Sequence, residues 1–530
     1  MTNNGSIIGG GGGTGGVGYF SGGASVGVGG GGGAGISNSN TIATMTNNGS
    51  ITGGAGGAGG NGYYAGNGGV GGAGIINSNT ITTLTNNGSI TGGAGNAYGI
   101  VNQGLIETLN NAQGGNGLKP TTKALTFSGD LPINYNIIIN SPTHYGQLNT
   151  DGSSSTSTTF DIFAGSNITN RLYTGVLSGI SSTKVSGLNG SYDNMNWTLT
   201  ETNMTPGSEN WNLSFTGVSL SQTQHSLHSL ARNIRSVFSS QTIATNFANM
   251  NTYECDLFDE KGVCVSVGGQ QTYVDNPSGN MTSTVVVAGY KVSPNIRIGG
   301  FLNQNINNKT VSGVHISNAN PLMGVFAVWN QKEDRLGYQV KIANAYQDKD
   351  VTTTRDAVET SEAGTGKTTL NTQSYVGELS YAFLANEDKT LVRPYAALRY
   401  TSIKKDGYTE QTSAGVTAPL TYASLADRST TALVGVKLNH QLAEKVNLTG
   451  SFGIEQDLHH QVDKLTATGI ADLTSENFNN SIKRTRPVAS FGAYYMPVKN
   501  QRISADFYYQ QMPFQSTGSA TAYVNYTIGF

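Results

Sequence analysis

From residue 262 onward, apolar and polar residues alternate in one segment after another. In Val446–Ile454, Val446, Leu448, Phe452 and Ile454 share one side, while Asn447, Thr449, Ser451 and Gly453 share the other. In Leu336–Ile342, Leu336, Tyr338, Val340 and Ile342 alternate with Gly337, Gln339 and Lys341. Ile503, Ala505, Phe507 and Tyr509 alternate with Ser504, Asp506 and Tyr508. A period of two is the mark of a strand with unlike faces. Around Val392–Tyr400, Arg393 and Arg399 fall opposite Val392, Leu398 and Tyr400. Such charges are costly in the dry core of a sandwich. They are acceptable in a membrane barrel, where lipid meets the apolar face and water the polar one. The pattern predicts twelve strands, at 262–273, 282–292, 295–304, 321–331, 335–346, 371–384, 390–402, 429–440, 445–458, 487–497, 501–511 and 520–530. Short connections (Ser293–Pro294, Lys332–Asp334, Ala385–Lys389, Gln441–Glu444, Val498–Asn500) then alternate with longer ones (Val274–Met281, Asn305–Asn320, Gln347–Leu370, Ile403–Arg428, His459–Arg486, Met512–Ser519). Short periplasmic turns against longer external loops is the outer-membrane pattern.

Upstream the period changes. From Ser221 to about Met250, Leu227, Leu230, Ile234 and Phe238 form one helical stripe, and His225, His228, Arg232 and Arg235 form another. The segment reads either as an amphipathic surface helix or as a helix threading the barrel. Between 118 and 220, short strands are expected at Ala124–Phe127, Asn134–Ile139, Phe160–Phe163, Trp197–Glu201 and Trp211–Phe215. Residues 1–117 repeat themselves. Gly35–Gly49 reads GISNSNTIATMTNNG, Gly74–Gly88 reads GIINSNTITTLTNNG, and a degenerate copy starts at Gly99. Units that bury an apolar face only by stacking on neighbours predict a solenoid. Ile42, Ile51, Ile81 and Ile90 are its candidate inward residues, and recurring Asn and Thr can form ladders. Gly9–Gly13 and Gly29–Gly33 have no side chains to pack and are expected as loops or flexible inserts. Collagen is excluded, because no Gly-X-Y period is evident and no proline precedes Pro120.

Composition narrows the function classes. Charged residues make up 12% of the 530 and the formal net charge is −2, which offers nothing to attract nucleic acid. No run of about 18 apolar residues marks a membrane helix. No Asp, Glu, Lys, Arg, His or Cys precedes Glu107, so acid–base catalysis by the repeats is not expected. From there to 220 the ionisable residues, among them Asp130, His144, Asp151, Asp161 and Glu201, are scattered without a catalytic motif. Ala363-Gly364-Thr365-Gly366-Lys367-Thr368 imitates a phosphate-binding loop. Ser361 stands where its first glycine should be, so the segment is assigned to the loop after the fifth strand. No metal or cofactor site is expected. Cys255 and Cys264 are either a disulfide, feasible in an oxidising compartment, or two free thiols. Met1-Thr2-Asn3-Asn4 has no basic or apolar leader, and residues 1–7 copy the repeat, so the chain is expected to begin inside a longer precursor.

Further residues carry a resemblance. His144–Leu148 and the Tyr192…Trp197–Leu199 stretch resemble the junction that autotransporters carry before their translocator. The last strand places Val524, Tyr526, Ile528 and Phe530 on one face and ends on an aromatic, like strands recognised by the barrel-assembly machinery. Repeats, junction, helix and twelve strands together resemble the monomeric autotransporters of type V secretion. The resemblance implies an all-β protein with a 12-stranded transmembrane barrel, a pore helix and a glycine-rich, solenoid-like passenger. It divides the chain into a repeat passenger (1–117), a junction or cap (118–220), helix and linker (221–261) and barrel (262–530). The basic stripe would then face lumen carboxylates such as Glu378, Glu455 and Asp506. Some family members cleave an asparagine pair in this helix, but here Met250 separates Asn249 from Asn251, so cleavage is not carried over. The expected partners are outer-membrane lipid, the assembly machinery and a surface or glycan ligand. The protein is expected as a monomer, exporting and displaying an adhesive, non-enzymatic passenger. The alternative is a stalk and translocator for an enzyme further upstream.

Overall fold

The computed structural model describes the chain apart from residues 18–26, 63–64, 96, 116–122, 204–208, 249–254, 276–277, 309–312, 317–319, 414, 478, 480 and 515–516. Asn249, Met250 and Asn251 lie outside the described residues. Two compact units emerge: Met1–Thr223 with Glu359–Ser361, and Gln224–Val358 with Glu362–Phe530.

The first unit is a parallel solenoid. Its successive coils stack in register, so that Ile42, Ile81 and Ile106 align, as do Met45, Leu84 and Leu109. The second column continues through Tyr135 and Phe160, and each of its five side chains is at most 1% exposed. Each fully buried large apolar side chain contributes about 1.5–3 kcal/mol. Asparagines run beside these columns as ladders. Asn3 donates to Asn47, Asn47 to Asn86 and Asn86 to Asn111, at 2.8–3.0 Å. A second ladder joins Asn38, Asn77 and Asn102. The spare amide hydrogens of Asn47 and Asn77 reach the carbonyls of Ser89 and Leu105. The last coils turn antiparallel: Leu172–Ser178 pairs with Asn210–Gly217, which pairs with Met195–Asn203. There Tyr145 meets Tyr173 edge-on at 5.1 Å and Phe160 meets Trp197 at 5.7 Å.

The glycine runs correct the expectation of loops. N–H donations to neighbouring segments recur every three residues: Gly9, Gly12 and Gly15 to Thr52, Ala55 and Ala58, and Gly33, Gly30 and Gly27 to Gly10, Gly13 and Gly16. A three-residue period is that of the polyproline-type helix. These helices touch backbone to backbone: a Cβ on Gly57 would lie 1.9 Å from the Gly13 carbonyl oxygen. The lack of side chains, read from sequence as nothing to pack, is what permits this packing.

The second unit is a closed antiparallel sheet of twelve strands: β1 (Val263–Asp275), β2 (Ser278–Ser293), β3 (Ile296–Asn308), β4 (Leu322–Asn330), β5 (Gly337–Arg355), β6 (Gly364–Ala385), β7 (Thr390–Lys405), β8 (Leu425–Ala443), β9 (Val446–Val462), β10 (Thr485–Tyr495), β11 (Gln501–Gln511) and β12 (Gly518–Gly529). Each pairs with its sequence neighbours, and β12 pairs with β1 from Cys264↔Gly529 to Val274↔Ser519, so no edge remains. Phe452, Ile454, Ile342, Leu398 and Phe507 are 49–60% exposed on the outer face, whereas Lys341, Arg393, Arg399 and Glu455 point inward. A helix, α1 (Leu220–Phe247), occupies the interior. Among the described residues no helix is long and apolar enough to cross a membrane.

All twelve expected strands are present, but several run further. β5 and β6 stay paired out to Arg355↔Gly364, which shortens the expected 347–370 loop to residues 356–363. β1 and β2 extend to Asp275 and Ser278, where a longer loop was expected. The Gly364–Thr368 segment is accordingly strand rather than loop: Lys367 pairs with Thr352 and Gly366 with Thr353. An extended backbone cannot curl round a phosphate. Thr421–Tyr422, between Tyr408–Thr409 and Ala467–Thr468, forms a small sheet within the longer connections.

Candidate functional site: the helix-filled lumen

Within the barrel unit α1 packs by small polar residues and one apolar stripe. Leu227, Leu230, Ile234 and Phe238 are at most 2% exposed. Ser240, Thr242 and Thr245 return their hydroxyls to carbonyls one turn back in the helix, so they need nothing from the wall. At 3.4 Å the Thr372 hydroxyl of β6 donates to Gln241, and Asn246 donates to Gln510 of β11. Phe247 meets Tyr508 and Tyr523 edge-on at 4.9 and 5.7 Å. The helix start is capped locally: the Ser219 hydroxyl accepts from the Gln222 amide, and Asp193 from the Ser221 amide.

Beyond the helix, Cys255 and Cys264 are joined by a disulfide that ties the linker to β1. Asp256 is clamped by Arg335 at 2.6 Å and Arg502 at 2.7 Å. On the wall, a buried chain of charges crosses four strands. Arg399 (β7) makes a double contact with Glu455 (β9) at 2.9–3.0 Å. Arg486 (β10) bridges Glu455 and Asp457. His460 (β9) stands 2.8 Å from both Asp457 and Asp427 (β8). Two-sided pairing is what makes buried charge tolerable.

The predicted stripe is placed differently from its expected partners. Glu378 is held by Lys437, Glu455 by Arg399 and Arg486, and Asp506 accepts from Thr449. The wall therefore neutralises Glu378 and Glu455 with its own cations, whereas Asp506 is bonded to a neutral hydroxyl. His228 instead meets Glu476, at 3.1 Å, in the connection between β9 and β10. His225 and Arg232 are exposed and Arg235 is half-buried. On β12, Val524, Tyr526 and Phe530 are 40–55% exposed on the outer face, and Ile528 is half-buried. The wall chain and the Asp256 clamp escaped the sequence reading, although the inward register had already singled out Arg399. The missing signal was the register match between separate strands, which alternation alone does not supply.

A family model described as the autotransporter β-domain matches residues 266–510, spanning most of the closed sheet. The C-terminal half of the chain is an autotransporter β-domain. Among solved structures, the translocator domain of autotransporter NalP from Neisseria meningitidis is similar at 17% identity, covering 56% of this chain and 96% of that one, with a TM-score of 0.39. The β-domain of the Bordetella autotransporter BrkA is similar at 12% identity, covering 51% and 100%, with a TM-score of 0.35. The transport unit of the autotransporter AIDA-I from Escherichia coli is similar at 12% identity, covering 56% and 99%, with a TM-score of 0.36. Scores this low add no weight to the family match and the closed sheet. No curated protein matches the chain. As an autotransporter β-domain, the barrel is an outer-membrane translocator, its outward face in lipid, and the domain is not catalytic.

Proposed function

We propose that this translocator exports and anchors the first unit as a surface-exposed passenger, and that the passenger serves adhesion rather than catalysis. The reading is carried by α1 inside the closed sheet: the polypeptide that leads up to Leu220 continues into the lumen. The uncharged repeats support a non-enzymatic role, since they hold no group for acid–base work before Glu107. Rows of exposed amide and hydroxyl groups, such as Asn4–Asn48–Asn87 and Ser6–Ser50, suit hydrogen bonding to glycans or to another cell's surface. Export without ATP fits a solenoid in which each coil is a template for the next, because folding outside opposes backsliding. All twelve strands come from one chain, which favours a monomer, and the outward row on β12 is the feature we assign to the barrel-assembly machinery.

Protease shaving of intact cells tests the topology. The expected result is loss of residues 1 to about 220, with a protected, heat-modifiable C-terminal fragment. Digestion of that fragment at the same rate as the rest contradicts it. For adhesion, cells displaying the full chain should bind glycan-coated or abiotic surfaces more than shaved cells. Equal binding removes the adhesive role.

A further inference from the structure

α1 is a smooth-sided helix. Its Ser240, Thr242 and Thr245 hydroxyls are satisfied within the helix. Its hydrogen bonds to the wall at Thr372 and Gln510 are both 3.4 Å long, beyond the usual range. Contacts of this kind can be remade one turn along, so they do little to fix how deep the helix sits. The segment after it is held quite differently. Cys255 is joined to Cys264 of β1, and both are fully buried. A Cβ on Gly289 of β2 would lie 3.0 Å from the Cys255 Cβ, so a glycine there leaves the bridge its room. Asp256, the next residue, is gripped by Arg335 from the β4–β5 turn and by Arg502 from β11, and its carbonyl also accepts from Arg335. Further on, the Asp259 and Val263 amides both donate to the Phe530 carbonyl, and Asn500 donates to the Asp259 carboxylate. One short stretch is thus fastened to β1, to β11, to the β4–β5 and β10–β11 turns and to the last residue of the chain.

The bridge also takes up slack. With it, the Cα atoms of Cys255 and Cys264 are 5.6 Å apart across a sequence separation of 9. Without it, that length of free chain could span about 30 Å. α1 has 28 residues, which makes it about 42 Å long. Opening the bridge and releasing Asp256 would therefore let the helix slide outward by more than half its length. We propose that the Cys255–Cys264 bridge, with Asp256, is a strap that sets the depth of α1 in the lumen and stops its outward slide, while α1 itself is the sliding element. A translocated chain must pass the lumen without sticking, which suits the helix, and must then be stopped, which suits the strap. The direction of pull comes from the export reading, whereas depth is measured without it, so the strap can fail while export stands.

The test is oxidative cross-linking of the full chain in its membrane. Gln241→Cys is paired with Thr372→Cys and, separately, with Thr368→Cys, which lies nearer the long-loop end on the same inward face of β6. With the native bridge intact, position 241 should join 372 and not 368. With Cys255→Ala and Cys264→Ala together, in barrels checked for heat-modifiable migration, the link to 368 should appear and the link to 372 should weaken. Alanine suits the buried setting, and the serine pair serves if the alanine pair fails to fold. Adding Asp256→Asn should move the balance further toward 368, and no change takes Asp256 out of the strap. Substituted barrels that still link 241 to 372 alone overturn the strap, as does a link to 368 while the bridge is intact.

Discussion

Asn86 is fully buried and bonded on both sides: it accepts from Asn47 at 2.8 Å and donates to Asn111 and Gln113 at 3.0 and 3.1 Å. Asn87, one residue on, makes a like contact with Asn48 but faces water. Asn86→Ala should cost about 1–3 kcal/mol for each buried group left without a partner. Asn87→Ala should stay within about 0.5 kcal/mol. Urea midpoints for the first unit of the detergent-solubilised full chain would check both, and equal effects would deny the ladder its role. The glycines divide in the same way. Gly57→Ala forces a methyl against the Gly13 carbonyl and should cost about 1–3 kcal/mol. A Cβ on Gly10 meets nothing within 4 Å, so Gly10→Ala should leave the midpoint nearly unchanged. The ladder asparagines could be anticipated from sequence because they recur at fixed places in each repeat. The glycine helices could not, because their packing is backbone on backbone and leaves no pattern of side chains to read.

At the scale of elements, alternation located all twelve strands but stopped where the apolar face stops. Beyond about Tyr346, β5 continues as Gln347-Asp348-Lys349-Asp350, with no lipid to demand hydrophobic partners, although its ladder with β6 runs on through Asp350↔Thr369. The loops above are organised too. Glu362 accepts from the Thr417 hydroxyl at 2.6 Å and from the Thr417 and Ala418 amides at 2.8 and 3.0 Å. Partial burial acts to raise its carboxyl, but these hydrogen bonds and the Arg355 charge outweigh it and hold the group below its ordinary value. A depressed carboxylate contributes stability that is fully present above its unfolded pKa and lost as pH falls through the folded one. Protection of the Thr417 and Ala418 amides from hydrogen exchange should therefore be intact near neutrality and decline on acidification below the usual carboxylate range. Glu362→Gln should remove that pH dependence. A decline that persists in the variant would place the sensitive group elsewhere.

For the whole molecule, the closed sheet was legible because lipid outside and water inside impose opposite demands on alternate residues. The helix was legible as a helix, but its position inside the sheet rested on resemblance, since the same two stripes describe a surface helix. Its electrostatic surroundings were not legible. Arg399, Arg486 and Lys437 hold Glu455 and Glu378, two of the three carboxylates expected to face it, and those pairings depend on register between strands far apart in sequence. What unites the account is a polypeptide running through the lumen of an outer-membrane barrel. The most direct measurement is oxidative cross-linking in the native membrane between Gln241→Cys on α1 and Thr372→Cys on the inner face of β6, whose side chains meet at 3.4 Å. The account predicts rapid cross-linking of this pair and none between Gln241→Cys and Tyr375→Cys, whose position faces lipid. Cross-linking to position 375, or none to 372 in a folded, heat-modifiable barrel, would contradict it.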